Sequence, residues 1–288
     1  MTNPLSGSVV VYGSFDDLRP IHFRFLEEAA KLGPAEGRGL AKGGQVTVLL
    51  WSDDAIRKIT GKPPKFPQQE RHYLLEAIRC INKVLVVNNF NPDGLPDKLE
   101  FKPKVWVVDE NNDNPAKKAF CESAGLKYHV LNTDKLNRFP EYNPALLKTN
   151  STRKKVIVTG CFDWFHSGHV RFFEEVSQLG DLYVAVGSDK TIGELKGPGH
   201  PMFPQQQRIF VCQSIRYVTQ ALIGTGSGWL DAEPEIHRLK PDIYAVNEDG
   251  DRPEKRQFCQ ANGIEYIVLK RIPKPGLAPR KSTILRGF

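Results

Sequence analysis

Residues 9–33 (VVVYGSFDDLRPIHFRFLEEAAKLG) and 156–180 (VIVTGCFDWFHSGHVRFFEEVSQLG) are two versions of one segment, identical at 12 of 25 positions at an offset of 147. FPQQER at 66–71 returns as FPQQQR at 203–208, and 103–131 returns at 241–269 with 12 of 29 identities. Three blocks repeated in the same order mean a tandem duplication. Two copies are too few for a solenoid, so each must bury a core of its own, and 288 residues are enough for two domains. The expected division is 1–132, a polar linker at 133–155 with two prolines, and 156–288. A Gly-rich loop at 34–45 belongs to the first copy alone.

The second copy reads as strands alternating with helices. Strands are expected at Lys155–Thr159, Leu182–Val186, Ala221–Ile223, Asp242–Val246 and Glu265–Leu269. Helices are expected at Val170–Leu179, Gln205–Val218 and Pro253–Asn262, the last ending at Gly263. Such alternation predicts a parallel, doubly wound, Rossmann-like α/β sheet in each copy. Ligands of these sheets sit outside the carboxyl ends of the strands.

No apolar run approaches the length of a membrane-spanning helix, and the N-terminus lacks the pattern of a secretory leader. The five cysteines form no CxxC pair, which fits reduced thiols and a cytoplasmic location. The net charge of +7 suits a polyanionic ligand. No run of five like charges occurs and aromatics do not alternate with basic residues, so a nucleic-acid partner is not expected.

The segment richest in chemistry is Val158-Thr-Gly-Cys-Phe-Asp-Trp-Phe-His166-Ser-Gly-His169. A strand runs into Gly160 and a helix starts near Gly168. Glycines let backbone approach a ligand, and the free N–H groups of a helix start favour an anion. His166 and His169 flank that start. On residue types alone they are either a capping pair or a phosphate site.

The segment resembles the HxGH signature of the cytidylyltransferase-like nucleotidyltransferases, and GCFDWFHSGH is especially similar to the enzymes acting on phosphocholine, phosphoethanolamine and glycerol 3-phosphate. The tandem arrangement is that of phosphoethanolamine cytidylyltransferases. The resemblance implies transfer of CMP from CTP to a small phospho-alcohol, a phospholipid precursor, with release of pyrophosphate. It makes His166, His169, Lys196 and Arg271 the catalytic set. Gly160, Cys161, Phe162, Gly168, Arg208, Asn247, Ser282 and Thr283 would bind the nucleotide. Asp163 and Trp229 would face the acceptor. Each has a plainer reading: a cap for Asp163, Ser282 and Thr283, a loop lysine for Lys196, a helix face for Arg208, a turn for Asn247 and core packing for Trp229. Cys161 has no base placed to make it a nucleophile. Mg²⁺ is expected on the triphosphate, with no metal site in the protein. The Arg271–Ser282 spacing exceeds the family's usual loop, and the closing helix is barely one turn. The segment Arg216-Tyr217-Val218 resembles one in the CTP-using enzymes.

In the first copy HSGH becomes Arg19-Pro20-Ile21-His22 and Lys196 becomes Thr60. No counterpart of Arg280–Thr283 follows Leu131. These losses predict a degenerate domain, serving as an internal pseudo-dimer partner, with a further homodimer open. Two other functions compete: adenylyl transfer to a sugar phosphate, as in the ADP-heptose synthases, and nucleotide binding for regulation without turnover.

Overall fold

The computed structural model describes residues 9–33, 46–88, 91–149 and 151–285. The Gly-rich loop at 34–45 and the first eight residues lie outside them. The chain divides into two units, Met1–Arg138 and Phe139–Phe288.

The first unit comprises β1 (Val9–Gly13), α1 (Pro20–Ala30), β2 (Val46–Trp51), α2 (Asp53–Thr60), α3 (Gln68–Glu76), β3 (Ile81–Val87), β4 (Val105–Asp109), α4 (Pro115–Ala124), β5 (Lys127–Leu131) and α5 (Thr133–Leu136). The second comprises β6 (Lys155–Gly160), α6 (Ser167–Val176), β7 (Asp181–Val186), α7 (Asp189–Lys196), α8 (Gln205–Ser214), β8 (Val218–Ile223), α9 (Glu233–Leu239), β9 (Ile243–Asn247), α10 (Pro253–Ala261), β10 (Glu265–Leu269) and α11 (Ser282–Leu285).

Each unit is a five-stranded parallel sheet, ordered β3-β2-β1-β4-β5 and β10-β9-β6-β7-β8. These are the Rossmann-like sheets expected. The central strands are buried on both faces. In β6, Val156, Ile157 and Val158 are all inaccessible, which needs helices above and below. From β6 the chain winds outward through β7 to β8, then crosses back to β9 and winds the other way. With right-handed crossovers, α6 and α10 therefore cover opposite faces. The α10 face holds Ile157, Tyr183, Tyr244 and Val246 against Ile236, Leu239 and Cys259. The strand order reverses between β6 and β9, opening a crevice at their carboxyl ends.

Several sequence expectations shift. The stretch 133–155 contains a helix: Asn132 caps α5, which packs on α1. Lys148 N–H donates to Gln220 Oε1 of the second unit at 2.8 Å. The helix expected at Gln205–Val218 stops at Ser214, because Ile215 turns to extended backbone and Val218 opens β8. Helices α7 and α9 were not anticipated. They bury only Thr191 and Ile192, and Glu235, Ile236 and Leu239, too few apolar residues for a periodic signal.

Candidate active site

A cavity of about 370 Å³ opens at the β6–β9 crevice. It is lined from the carboxyl end of β6 and the turn after it (Thr159, Gly160, Cys161), from α6 (Gly168, His169) and its cap His166, from Lys196, from Asn247 at the end of β9 and Asp249 after it, and from Lys255, Arg271, Lys281 and Ser282. A neighbouring hollow of about 310 Å³ lies under the 270–281 loop and shares Gly168, Asn247 and Arg271 with it.

His166 caps α6, its Nδ1 accepting the Gly168 N–H at 3.0 Å, while His169 Nδ1 faces the His166 N–H at 3.4 Å. The rings stack with centroids 4.0 Å apart. Burial, then the charges of Arg271 and Arg280, push His166 down to about 3. Burial, with His166, Arg271 and Lys196 behind it, holds His169 well below the ordinary imidazole range. Both rings are neutral near pH 7. Since Nδ1 accepts, the single proton of each sits on Nε2, which remains a donor. Gly168 has a steric reason: a Cβ there would lie 2.9 Å from His166 Cε1.

The turn before α6 is held by a framework. Phe162 adopts φ +51°, in the left-handed region, its ring packed so closely on Gly160 that a Cβ there would fall 2.9 Å from it. Asp163 accepts backbone N–H groups of Met202 and Phe203 at 2.9 Å. Arg208 is 1% exposed and donates to the carbonyls of Phe203 (2.9 Å) and Cys161 (2.7 Å) and to Asp189 Oδ1 (2.7 Å). The first unit repeats the left-handed phenylalanine and the hydrogen bonds. Phe15 has φ +46°, Asp16 accepts from Lys65 and Phe66 N–H, and Arg71 donates to the carbonyls of Phe66 and Ser14 and to Asp53. This framework is the part of the motif common to both units. His22 likewise keeps its place, accepting the Arg19 N–H at 2.8 Å.

The structure thus gathers His166, His169, Lys196, Arg271, Gly160, Cys161, Phe162, Asp163, Gly168, Asn247 and Ser282 around one cavity. Three residues need correction. Arg208 lies outside the cavity lining, with its guanidinium bonded to the framework. Asp163 lines the cavity, but its carboxylate pins the 202–203 backbone. Trp229 is not in the lining and carries the Arg252 guanidinium 4.7 Å above its ring. Ser282 Oγ donates to the Trp164 carbonyl at 3.3 Å, and the Thr283 side chain lies outside the described residues. Lys196 is the last residue of α7 rather than part of a loop, and Thr60 ends α2 in the same way. Arg271 pairs with Asp249 and donates to the Arg280 carbonyl at 2.9 Å. Burial pushes the Cys161 thiol up, against nucleophilic use.

The family model described as Cytidylyltransferase-like matches residues 10–152 and 157–275. The chain belongs to this family. The match covers both units, so each is a cytidylyltransferase-like domain and the protein is a nucleotidyltransferase. Similar proteins include the FAD synthase of Ferroglobus placidus, 36% identical over 120 residues that cover 41% of this chain and 75% of that one. The FAD synthase of Pyrococcus horikoshii is 43% identical over 125 residues, 42% of this chain and 82% of the relative. The bifunctional protein HldE of Syntrophotalea carbinolica is 31% identical over 127 residues, 43% of this chain and 25% of that longer one. A lipopolysaccharide core biosynthesis protein from Thermoplasma volcanium, of known structure, is 25% identical, with 42% of this chain and 98% of that one covered and a TM-score of 0.37.

Sequence reasoning missed Lys255 and Lys281 as cavity residues of this cytidylyltransferase-like domain. Lys281 lay in a recognised motif but was passed over for its neighbours. Lys255 had no usable signal. It sits in the duplicated block opposite Lys117, as a framework residue would, and its reach into the cavity depends on how α10 lies against β9.

Proposed function

We propose that the second unit transfers a nucleoside 5′-monophosphate from a nucleoside triphosphate to a phosphate oxygen of a small acceptor. The acceptor oxygen attacks the α-phosphorus in line, the bond from α-phosphorus to the bridging oxygen breaks, and pyrophosphate leaves with the electron pair. The protein's share is positioning and charge neutralisation. His166 and His169 donate from Nε2 to phosphoryl oxygens, and Lys196, Arg271 and Lys281 offset the negative charge. The observation that carries this reading is the neutral, stacked imidazole pair at a helix start, opening on a lysine-lined cavity.

Adenylyl transfer is the first reading for the donor. An FAD synthase, as its name says, makes FAD, which contains an adenylyl group, and two of the three relatives compared carry that name, at 36% and 43% identity. The Arg216-Tyr217-Val218 segment lends CTP little support, because Val218 opens β8 at the amino end of the sheet, away from the cavity. CTP with a phosphoethanolamine-like acceptor is the second reading, favoured by the wording of GCFDWFHSGH. The purified chain, given ATP or CTP with a panel of phosphate monoesters, should release pyrophosphate, faster with ATP. Faster release with CTP reverses the order. Nucleotide binding without pyrophosphate makes the protein a regulator.

Mg²⁺ is part of the proposal as the counter-ion of the triphosphate, supplying charge neutralisation when bound. The described residues contain no cluster of three or more His, Cys, Asp or Glu side chains that could hold a metal, so phosphate oxygens would be its ligands. No described helix is long and apolar enough to cross a membrane. None of the five cysteines forms a disulfide, which suits a reducing cytoplasm.

A further inference from the structure

Lys255 is a buried cation that the reaction described above does not use. Its side chain comes from α10, on the face of the sheet opposite α6, and it lines the cavity wall at only 6% exposure. Its ammonium donates to Thr159 Oγ1 at 3.3 Å and to the Gly250 carbonyl at 3.4 Å, and lies 5.7 Å from the centre of the Tyr244 ring. All three partners are neutral. Among the described residues no carboxylate is within ion-pair distance; Asp231 and Asp251 act on it only through space. A buried charge without a counter-ion is costly, and a ligand anion removes that cost.

The rest of the wall has the same sign. Lys196 and Lys281 also lack an ion-pair partner among the described residues. The two acids that line the cavity are both engaged: Asp163 by the Met202 and Phe203 N–H groups, Asp249 by Arg271. The face of Trp229, which lies outside the lining, is covered by Arg252. The aromatic rings that line the cavity, Phe162, Trp164 and Phe172, are buried in its wall, and a ligand ammonium entering here would meet three lysines with no free carboxylate to replace its water.

We propose that Lys255 binds an anionic oxygen of the acceptor from the α10 side, and that the acceptor is a phosphate ester bearing hydroxyl or acidic groups rather than an ammonium. This rests on reading the cavity as a nucleotidyl-transfer site, and it selects among the acceptors that reading allows. The imidazoles and Arg271 hold the triphosphate toward α6, leaving Lys255 to the second substrate.

The full chain is titrated calorimetrically with glycerol 3-phosphate and with phosphoethanolamine, each with saturating α,β-methylene-ATP and again with α,β-methylene-CTP. Glycerol 3-phosphate is expected to bind about tenfold tighter than phosphoethanolamine, the worth of one charge-assisted contact. Lys255→Met should lose about tenfold in glycerol 3-phosphate affinity and keep its affinity for the analogues within about threefold, with Lys255→Arg recovering most of the loss. Equal or tighter phosphoethanolamine binding overturns the proposal, and this comparison needs only the unmodified protein. Binding of neither ester overturns it too. So does a Lys255→Met effect that falls on the nucleotide analogue instead, which would assign the lysine to the donor triphosphate. Pyrophosphate release is assayed separately with ATP and CTP. Its absence alongside the glycerol 3-phosphate preference would fail the transferase reading while supporting the assignment of Lys255.

Discussion

His166 and His169 lie ring on ring, with planes 20° apart, and each Nδ1 is turned to a backbone N–H at the start of α6. The helix start thereby fixes both tautomers and leaves two Nε2 donors side by side. His22 in the first unit has the same tie to Arg19 N–H but no second imidazole beside it.

Replacing His169 by Ala should lower turnover by about 10²–10³-fold, the usual loss of a preorganised donor to a developing oxyanion. His22→Ala should leave turnover within about twofold, since the first unit lacks the partner imidazole and the lysine that ends α7. Steady-state pyrophosphate release reads both. Comparable losses would make the first unit catalytic.

Gly168→Ala should cost about 10²-fold in turnover, because its Cβ would displace the His166 ring. The first unit tolerates Ile21 at the matching position because Arg19 replaces that ring. A double variant, Gly168→Ala with His166→Ala, should be no slower than His166→Ala alone. An additive loss would show that the glycine acts otherwise.

Folding stability should fall as the medium is acidified. The folded His166 resists protonation down to about 3, whereas the unfolded chain takes up a proton near 6.5. Below 6.5 the unfolded state binds more protons, so the contribution is full above that pH and is lost as pH falls toward 3. His166→Asn keeps a capping side chain without the titration. Between pH 7 and pH 5 its urea-unfolding free energy should drop by about 2 kcal/mol less than that of the unmodified chain. Equal drops would place the proton uptake elsewhere.

Arg208→Met and Arg71→Met should each destabilise their own unit by about 3 kcal/mol, since each leaves buried carbonyls without a donor. Only Arg208→Met should also reduce turnover, through the Cys161 turn. Denaturant melts together with initial rates separate the two effects.

Trp229→Ala should change the acceptor KM by less than about twofold, because the ring stacks under Arg252 outside the cavity. A tenfold rise would return the tryptophan to the acceptor site.

The duplication, the alternation of strands and helices, and the helix start at HSGH could all be read from residue order, because they depend on neighbours in sequence. β10 occupies Glu265–Leu269 as expected, and Gly263, with φ +65°, follows the end of α10. Lys196, His169 and Arg271 were singled out by the family resemblance and line one cavity. What sequence alone left undecided is where the charges end up. Arg208 and Asp163 carry suitable groups in suitable places, but partners distant in sequence hold them in the framework. Lys255 carried no signal in the sequence. The reversal of strand order between β6 and β9 and the packing of α10 on the sheet bring it, buried, to the crevice, where a bound anion favours its charged form.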